Sequence, residues 1–294
     1  MQEIRLYILP FDHRATFIKD LFGYKEPLSK KQLSDVRGYK KLIWKAFLRV
    51  YEKTKDKKPL GILVDEEFGS GILREAKKAG AVRIVAAEKS GQKVFDFEYG
   101  KKFGQHILRV KPDYSKVLVR YNPKNKKDNI IQLKRLKMLD GFCKKRKIGF
   151  LLELLVPATE LQSAKKDYDS RIRPVLTAEA IKEIRAFGIE PDIWKMEAMP
   201  GRSDWKRIVE AVKYKNKKPA RIIVLGRAGS KKQVSSWFKI ASGVKEVIGF
   251  AVGRTIFLPP LEKYHEKKIS KKQAISLIAG DFGYFIDCWK RNRK

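Results

Sequence analysis

Two charged residues lie inside apolar runs, where a charge is costly to bury. Lys195 occurs within Asp192–Ala198 (DIWKMEA), and Glu153 occurs within GFLLELLVP, the most apolar part of the chain. Burial and neighbouring cations favour the neutral amine of a lysine, which then acts as a nucleophile. A buried glutamate with a raised pKa is suited to moving protons. The two runs therefore predict a nucleophilic lysine and an acid–base partner one strand earlier.

Both residues also have a purely structural interpretation. Lys195 in an ion pair with Glu197 or another carboxylate fits the sequence equally well. Glu153 in a buried ion pair with an arginine or lysine is the corresponding alternative. The sequence leaves both interpretations open.

Two glycine–arginine segments near the end of the chain, GRAGS at 226–230 and GRT at 253–255, are typical of anion binding. Backbone N–H groups of such loops cradle phosphate oxygens, and an arginine adds a bidentate contact. Glycine after a strand is also ordinary turn chemistry, so each motif alone carries little weight. The predicted phosphate-binding residues are Gly226, Arg227, Ala228, Gly229, Gly253 and Arg254.

The first apolar run ends in Asp12, His13 and Arg14. We expect Asp12 and Arg14 to bind substrate hydroxyls or to orient Lys195, with a plain salt bridge as the alternative. A metal site would take its ligands from Asp12, His13, Asp65 and Glu88. The chain has only three histidines and no paired histidine spacing, so the sequence predicts no metal and no cofactor.

The elements that must position these residues alternate along the chain. Most of the strand-like runs are apolar throughout, as parallel strands covered on both faces are. The eight runs are Ile4–Pro10, Leu60–Asp65, Val82–Glu88, Lys116–Asn122, Gly149–Val156, Asp192–Ala198, Arg221–Leu225 and Val247–Gly253. Helical patterns separate them at Asp35–Thr54, Gly71–Ala79, Lys231–Ser242, Lys271–Lys290 and in a segment with Thr177 as N-cap and Gly188 as C′ residue.

Eight strands alternating with helices predict an α/β fold, a (β/α)₈ TIM barrel, forming one domain over residues 1–294. An open doubly wound sheet is the competitor, but no G-x-G-x-x-G follows the first strand. Active sites of such barrels lie at the carboxyl ends of the strands. Lys89 follows the third strand and Arg120 lies late in the fourth, so they join Lys195, Glu153 and the glycine–arginine loops there.

The composition excludes several classes of protein. Hydrophobic residues make up 43% of the 294, which argues against disorder, and no apolar run reaches the roughly 20 residues of a membrane helix. The N-terminus does not resemble a secretory signal. Cys143 and Cys288 are too few for a disulfide scaffold, so we expect a reducing cytoplasm.

The net charge of +34 would suit either a nucleic-acid binder or an enzyme with an anionic substrate. The basic runs Lys53–Lys58, Lys144–Lys147 and Lys213–Lys218 precede strands two, five and seven, which places them opposite the predicted site. They also follow helices, whose carboxyl ends favour positive charge. We therefore do not expect nucleic acid as a partner. The cations expected to attract a phosphorylated small molecule are Lys89, Arg120, Lys195, Arg227 and Arg254.

The chain resembles one known domain from about Leu6 to Trp289. Nine short strings carry the resemblance, in this order: LPFDHR, VDEEFG, EKSGQ, FDFEYG, VLVRYNP, ELLVP, PDIWKMEA, LGR and GFAVGRTIF. The domain is the aldolase-like C-terminal domain of the bacterial inositol-catabolism protein that fuses a sugar kinase to it. That family is associated with 5-dehydro-2-deoxyphosphogluconate aldolase activity. It is similar in turn to the class I tagatose-1,6-bisphosphate aldolases.

The resemblance implies a role for each matched residue. Lys195 matches the Schiff-base lysine and Glu153 the acid–base glutamate, so Lys195, Glu153, Asp12 and Lys89 form the expected catalytic set. Lys89 and Arg14 would hold hydroxyls or keep Lys195 deprotonated, and Arg14 and Arg120 would bind substrate. The expected reaction cleaves 5-dehydro-2-deoxy-D-gluconate 6-phosphate to dihydroxyacetone phosphate and malonate semialdehyde.

This sequence departs from the tagatose bisphosphate enzymes at LGRAG, where they carry a serine-containing glycine loop, and it lacks the kinase half. Two alternatives to the expected reaction remain. One is another ketose-phosphate aldolase that uses the same Lys195. The other is a basic barrel that binds nucleic acid without catalysis, which the intact site residues argue against. Assembly into a homo-oligomer is left open.

Overall fold

A closed barrel of eight parallel strands forms the centre of the protein, as predicted, in a computed structural model that describes residues 4–25, 27–215 and 219–293. Each strand pairs with the next, and the eighth pairs with the first. The strands are β1 Leu6–Pro10, β2 Leu60–Val64, β3 Val82–Ala86, β4 Tyr114–Arg120, β5 Gly149–Leu155, β6 Ile193–Glu197, β7 Ile222–Leu225 and β8 Val247–Ala251.

Helices surround this barrel, and the larger apolar core lies between them and the strands. The helices of the described residues are α1 Ala15–Phe22, α2 Lys30–Lys53, α3 Glu66–Ala79, α4 Phe103–Val110, α5 Lys126–Arg146, α6 Glu160–Ser163, α7 Arg173–Ala186, α8 Arg202–Lys213, α9 Lys231–Ala241, α10 Arg254–His265 and α11 Lys271–Asn292. None of the described helices is long and apolar enough to span a membrane.

Aliphatic side chains fill the inside of the barrel toward the amino ends of the strands. Ile8, Leu63, Ile84 and Ile223 belong to this second core, and all four are fully buried. At Gly249 a Cβ atom would lie 1.8 Å from the Leu6 carbonyl oxygen, so glycine is what lets β1 and β8 approach closely. This packed layer fills the barrel interior below the carboxyl ends of the strands, where active sites of this fold lie.

Several helices begin earlier than their apolar patterns predicted, because their first turns are set by caps. α2 starts at Lys30, where Ser29 and Gln32 form a capping box, and α3 starts after Asp65, whose side chain accepts the Phe68 N–H. The predicted N-cap role of Thr177 is wrong. It lies inside α7, where its hydroxyl donates to the Arg173 carbonyl at 2.7 Å.

The basic runs lie where their order in the chain predicted. Lys53–Lys58 connects α2 to β2, and Lys144–Lys147 connects α5 to β5, so both lie at the amino ends of the strands. Of the third run, Lys213 ends α8, while residues 216–218 lie outside the described residues. The two described runs therefore lie at the end of the barrel opposite Lys195.

Candidate functional site

A cavity of about 600 Å³ opens at the carboxyl ends of the strands. Residues at or after the ends of every strand except β2 line it. The topology thus brings together residues that are far apart in the chain, and it does so at the end of the barrel that the fold predicts. Every predicted site residue except Gly229 lines this cavity.

Lys195 and Glu153 meet in the centre of the cavity. They are opposite each other in the register of β5 and β6, and Lys195 Nζ lies 2.8 Å from Glu153 Oε1. Their side chains are only 5% and 9% exposed. The pair unites the two interpretations of Lys195, because the lysine is ion-paired, to Glu153, and also faces the space where a ligand would bind.

A second buried lysine, Lys116 of β4, lies among three carboxylates. Its Nζ atom is 2.8 Å from Asp12 Oδ2, 2.6 Å from Glu88 Oε1 and 2.9 Å from Glu153 Oε2. Glu153 therefore bridges the two lysines with its two oxygens. We call Lys116, Asp12, Glu88, Glu153 and Lys195 the ion cluster.

Burial and charge act against each other in the ion cluster. Burial lowers the pKa of Lys116, but its three carboxylates more than offset this and raise it well above the ordinary value. Burial raises the pKa of Asp12, yet Lys116 and Lys195 hold it below its ordinary value. For Glu88 burial prevails and the pKa is raised. The cluster therefore contains a fixed cation and one carboxyl that is easily protonated.

The raised pKa expected for Glu153 is wrong. Burial does raise it, but the ammonium groups of Lys116 and Lys195 outweigh burial, so that the pKa is lowered. A lowered pKa keeps Glu153 ionised at neutral pH. Within the ion cluster the easily protonated carboxyl is Glu88, whose Oε2 atom is buried without a hydrogen-bond partner among the described residues.

Lys116 escaped prediction because the sequence pattern began the fourth strand at this residue. The strand begins at Tyr114, so Lys116 lies within it and shares an inward face with Leu118 and Arg120. Lys116 pairs in register with Leu151, two residues below Glu153, and its long side chain reaches up to the carboxylates. The available signal was the two-residue alternation of a strand beginning two residues earlier.

His13 occupies the wall of the cavity beside the ion cluster. Its ring lies edge-on to Phe257 with centroids 6.2 Å apart, and its Nδ1 atom is buried without a partner among the described residues. Burial lowers the pKa of His13 to about 4, with Arg254 and Lys195 acting in the same direction. The imidazole is therefore neutral at neutral pH.

The lowered pKa of His13 predicts a loss of stability in acid. An unfolded histidine has a pKa near 6.5, so the stabilisation is complete above pH 6.5 and is lost as the pH falls to about 4. A shift of this size corresponds to roughly 3 kcal/mol. We expect His13→Gln to remove that part of the pH dependence in urea unfolding between pH 7 and pH 4. An unchanged pH dependence would contradict it.

Arg14 is committed to protein groups. Its guanidinium forms an ion pair with Glu98 and donates to the Glu88 carbonyl oxygen, and its side chain is 5% exposed. Burial lowers the pKa of Arg14, but Glu88, Asp65 and Glu98 more than offset this and raise the pKa above its ordinary value. Arg14 thus ties the loop after β1 to the segment after β3 and holds Glu88 in place. Asp65 lies behind this loop, outside the cavity lining, and pairs with the buried Lys40.

A second set of ions forms around Glu197, the last residue of β6. Arg227 Nε lies 2.9 Å from Glu197 Oε1, and its Nη1 lies 2.8 Å from Asp169 Oδ1. Arg173 also pairs with Asp169, at 3.0 Å. In this structure Arg227 therefore faces carboxylates, which an incoming phosphate would have to displace.

The loop after β7 is a tight turn. The Gly229 N–H donates to the Gly226 carbonyl at 2.8 Å, and Arg227 and Ala228 both have positive φ, at 44° and 52°. Such a turn ordinarily takes glycine or asparagine at these positions. Because its N–H closes the turn, Gly229 does not offer that group to a ligand, and it lies outside the cavity lining.

Comparisons with solved structures find the same fold in several proteins, some of which are aldolases. A protein from Corynebacterium glutamicum is 14% identical over 95% of this chain and 86% of its own, with a TM-score of 0.57. A Schiff-base-forming fructose-1,6-bisphosphate aldolase is 11% identical over 96% and 94%, with a TM-score of 0.58. An archaeal fructose-1,6-bisphosphate aldolase, with its catalytic lysine bound to a carbinolamine intermediate, is 11% identical over 97% and 93%, with a TM-score of 0.58.

At these identities the comparisons show only the fold, a (β/α)₈ TIM barrel with distant structural similarity to Schiff-base class I aldolases. No curated protein sequence matches the chain. A family model does match, over residues 1–293, and its description is an uncharacterized protein conserved in bacteria. The chain belongs to this family, DUF2090.

Proposed function

We propose that this protein is a class I aldolase in which Lys195 forms a Schiff base with a phosphorylated keto sugar acid. The observation that carries the proposal is the ion cluster, in which a nucleophilic amine lies 2.8 Å from a carboxylate inside a cavity at the carboxyl ends of the strands. The proposed substrate is 5-dehydro-2-deoxy-D-gluconate 6-phosphate, which the resemblance to the inositol-catabolism domain supports.

The first step needs a neutral amine. Glu153 accepts the proton of Lys195, and the amine adds to the C5 ketone to give a carbinolamine. Glu153 then returns the proton to the carbinolamine hydroxyl. The hydroxyl leaves as water, and C5 and the lysine nitrogen form the iminium. Its second oxygen stays bound to Lys116, so the carboxyl group keeps its position while the proton moves.

The iminium withdraws electrons from the C3–C4 bond. Glu153, again a carboxylate, accepts the proton of the C3 hydroxyl, and the bond breaks to give malonate semialdehyde and an enamine. Proton return to C4 and hydrolysis of the iminium release dihydroxyacetone phosphate. Asp12, held ionised by Lys116, accepts a hydrogen bond from a substrate hydroxyl. The charge of Lys116 stabilises the alkoxide that develops as the bond breaks.

Borohydride trapping tests the proposal directly. The protein is incubated with the keto sugar acid phosphate, tagatose 1,6-bisphosphate or fructose 1,6-bisphosphate, reduced with sodium borohydride and mapped by peptide mass. We expect a dihydroxyacetone phosphate adduct on Lys195, formed fastest from the keto sugar acid phosphate. No adduct with any substrate would refute the Schiff-base mechanism, and a faster bisphosphate would reassign the substrate.

A further inference from the structure

The cations that line the cavity fall into two groups. Arg14, Lys116, Lys195 and Arg227 each pair with a carboxylate. The remaining three cations, Lys89, Arg120 and Arg254, have no carboxylate partner within the part of the chain that the structure describes. Cations that line a cavity without a counter-ion are available to an anionic ligand.

The unpaired cations lie on opposite sides of the cavity mouth. Lys89 and Arg120 are at the ends of β3 and β4, whereas Arg254 follows β8. In a closed barrel of eight strands, β4 and β8 are diametrically opposed, and β6 lies midway between them. A linear substrate whose ketone is bound to Lys195 of β6 therefore extends one end toward each group of cations.

The two ends differ in the anion that they favour. Arg254 is the first residue of α10, whose amino terminus adds backbone N–H groups and a partial positive charge, and this suits a phosphate dianion. A Cβ atom at its N-cap, Gly253, would lie 2.1 Å from the Pro10 carbonyl oxygen, so glycine lets the helix begin close to β1. At the β3–β4 side the cations that line the cavity are Lys89 and Arg120, and neither belongs to a helix.

The segment that carries Lys89 is braced from several directions. The Lys89 N–H donates to the Asp96 carbonyl at 2.9 Å, and Ser90 Oγ accepts from the Ala15 N–H at 3.3 Å. Arg120 Nη1 donates to the Gln92 carbonyl at 2.9 Å, which ties the two cations to one loop. The backbone that carries Lys89 and the side chain of Arg120 are held in place before a ligand binds, which lowers the cost of ordering them.

We propose that Lys89 and Arg120 form a carboxylate subsite that binds the C1 carboxylate of the substrate, and that this subsite selects carboxylated aldehydes in the reverse, condensing reaction. The inference rests on the proposed function, since Lys195 sets the position of the ketone. It gives Lys89 a role in specificity, whereas the sequence predicted a role in the chemistry at Lys195. The arginine offers the planar, two-pronged contact that carboxylates prefer.

The test compares two aldehyde acceptors of equal carbon number, malonate semialdehyde and propanal, in condensation with dihydroxyacetone phosphate. Lys89→Gln and Arg120→Gln should each lower kcat/KM for malonate semialdehyde about ten- to hundredfold, the effect of losing one hydrogen bond to a charged group. Both should leave propanal within about twofold. Lys93→Gln, which removes the same charge from a neighbouring residue outside the cavity lining, should change neither.

Two further readouts separate this inference from the proposed function. One is borohydride trapping of dihydroxyacetone phosphate on Lys195, which neither variant should alter. The other is calorimetric binding of 3-hydroxypropanoate, a carboxylated probe without an aldehyde, which both should weaken. The subsite would be overturned if the adduct is trapped but kcat/KM falls equally for both acceptors, or if neither substitution weakens binding of the probe. If no adduct is trapped but binding of the probe still depends on Lys89 and Arg120, the proposed aldolase activity is overturned and the carboxylate subsite is kept.

Discussion

Lys195→Met should abolish the borohydride-trapped adduct and lower the aldol cleavage rate by at least about 10⁴-fold, as loss of a covalent nucleophile does. Methionine fills a similar volume without an amine, so the protein should still fold. Glu153 keeps its contact with Lys116 in this variant, at 2.9 Å. The rate is measured from the release of dihydroxyacetone phosphate, and the adduct by peptide mass.

The matched control is Lys206→Met, which changes an exposed lysine on α8, the helix that follows β6. It should retain both activity and adduct. If Lys195→Met kept an adduct, another lysine would be the nucleophile. Lys116 would be the first to examine, because it lines the same cavity.

Lys116→Met should have the largest effect on stability. It leaves Asp12, Glu88 and Glu153 buried with Lys195 as their remaining partner in the cluster, and breaking a buried ion pair costs about 3–5 kcal/mol. The loss should be smaller at pH 5 than at pH 8, because protonation neutralises the unpaired carboxylates. Urea unfolding at the two pH values measures it. Cleavage should also fall by at least about a hundredfold through the lost charge.

Lys40→Met separates stability from chemistry. Lys40 is also fully buried and pairs with the buried Asp65, but neither residue lines the cavity. This variant should lose stability while it still forms the adduct on Lys195 at low temperature. If Lys116→Met were as stable as the wild type at pH 8, the ion cluster would add nothing to the stability of the fold, which would contradict the prediction.

The barrel could be predicted because each strand is a run of apolar residues that needs cover on both faces. The same logic located Lys195 and Glu153, whose charges interrupt such runs. It could not locate Lys116, because a lysine at the apparent start of a strand looks like a residue exposed to solvent. Its role depends on the true start at Tyr114 and on carboxylates from β1, β3 and β5.

The sequence likewise could not predict which carboxylate, if any, each arginine of the site pairs with. Arg14, Arg227 and Arg254 are all arginines at strand ends, yet the first two face carboxylates and the third faces none within residues 4–25, 27–215 and 219–293. Which arginine is available to a ligand depends on where Glu98 and Glu197 lie, and those positions follow from loop geometry. The same applies to Gly229, whose N–H closes a turn.

The ion cluster also bears on how the chain closes its barrel. Lys116 and Asp12 are 104 residues apart, and Glu153 and Lys195 belong to the second half of the strands. A half-barrel of β1–β4 contains one of the cluster's cations and two of its carboxylates, and β5 and β6 add the Glu153–Lys195 pair, whose carboxylate also binds Lys116 across the join. A one-residue slip of β5 would turn Glu153 away and leave Lys195 unmatched. We therefore expect the ion cluster, beside its proposed role in catalysis, to disfavour barrels whose two halves join out of register.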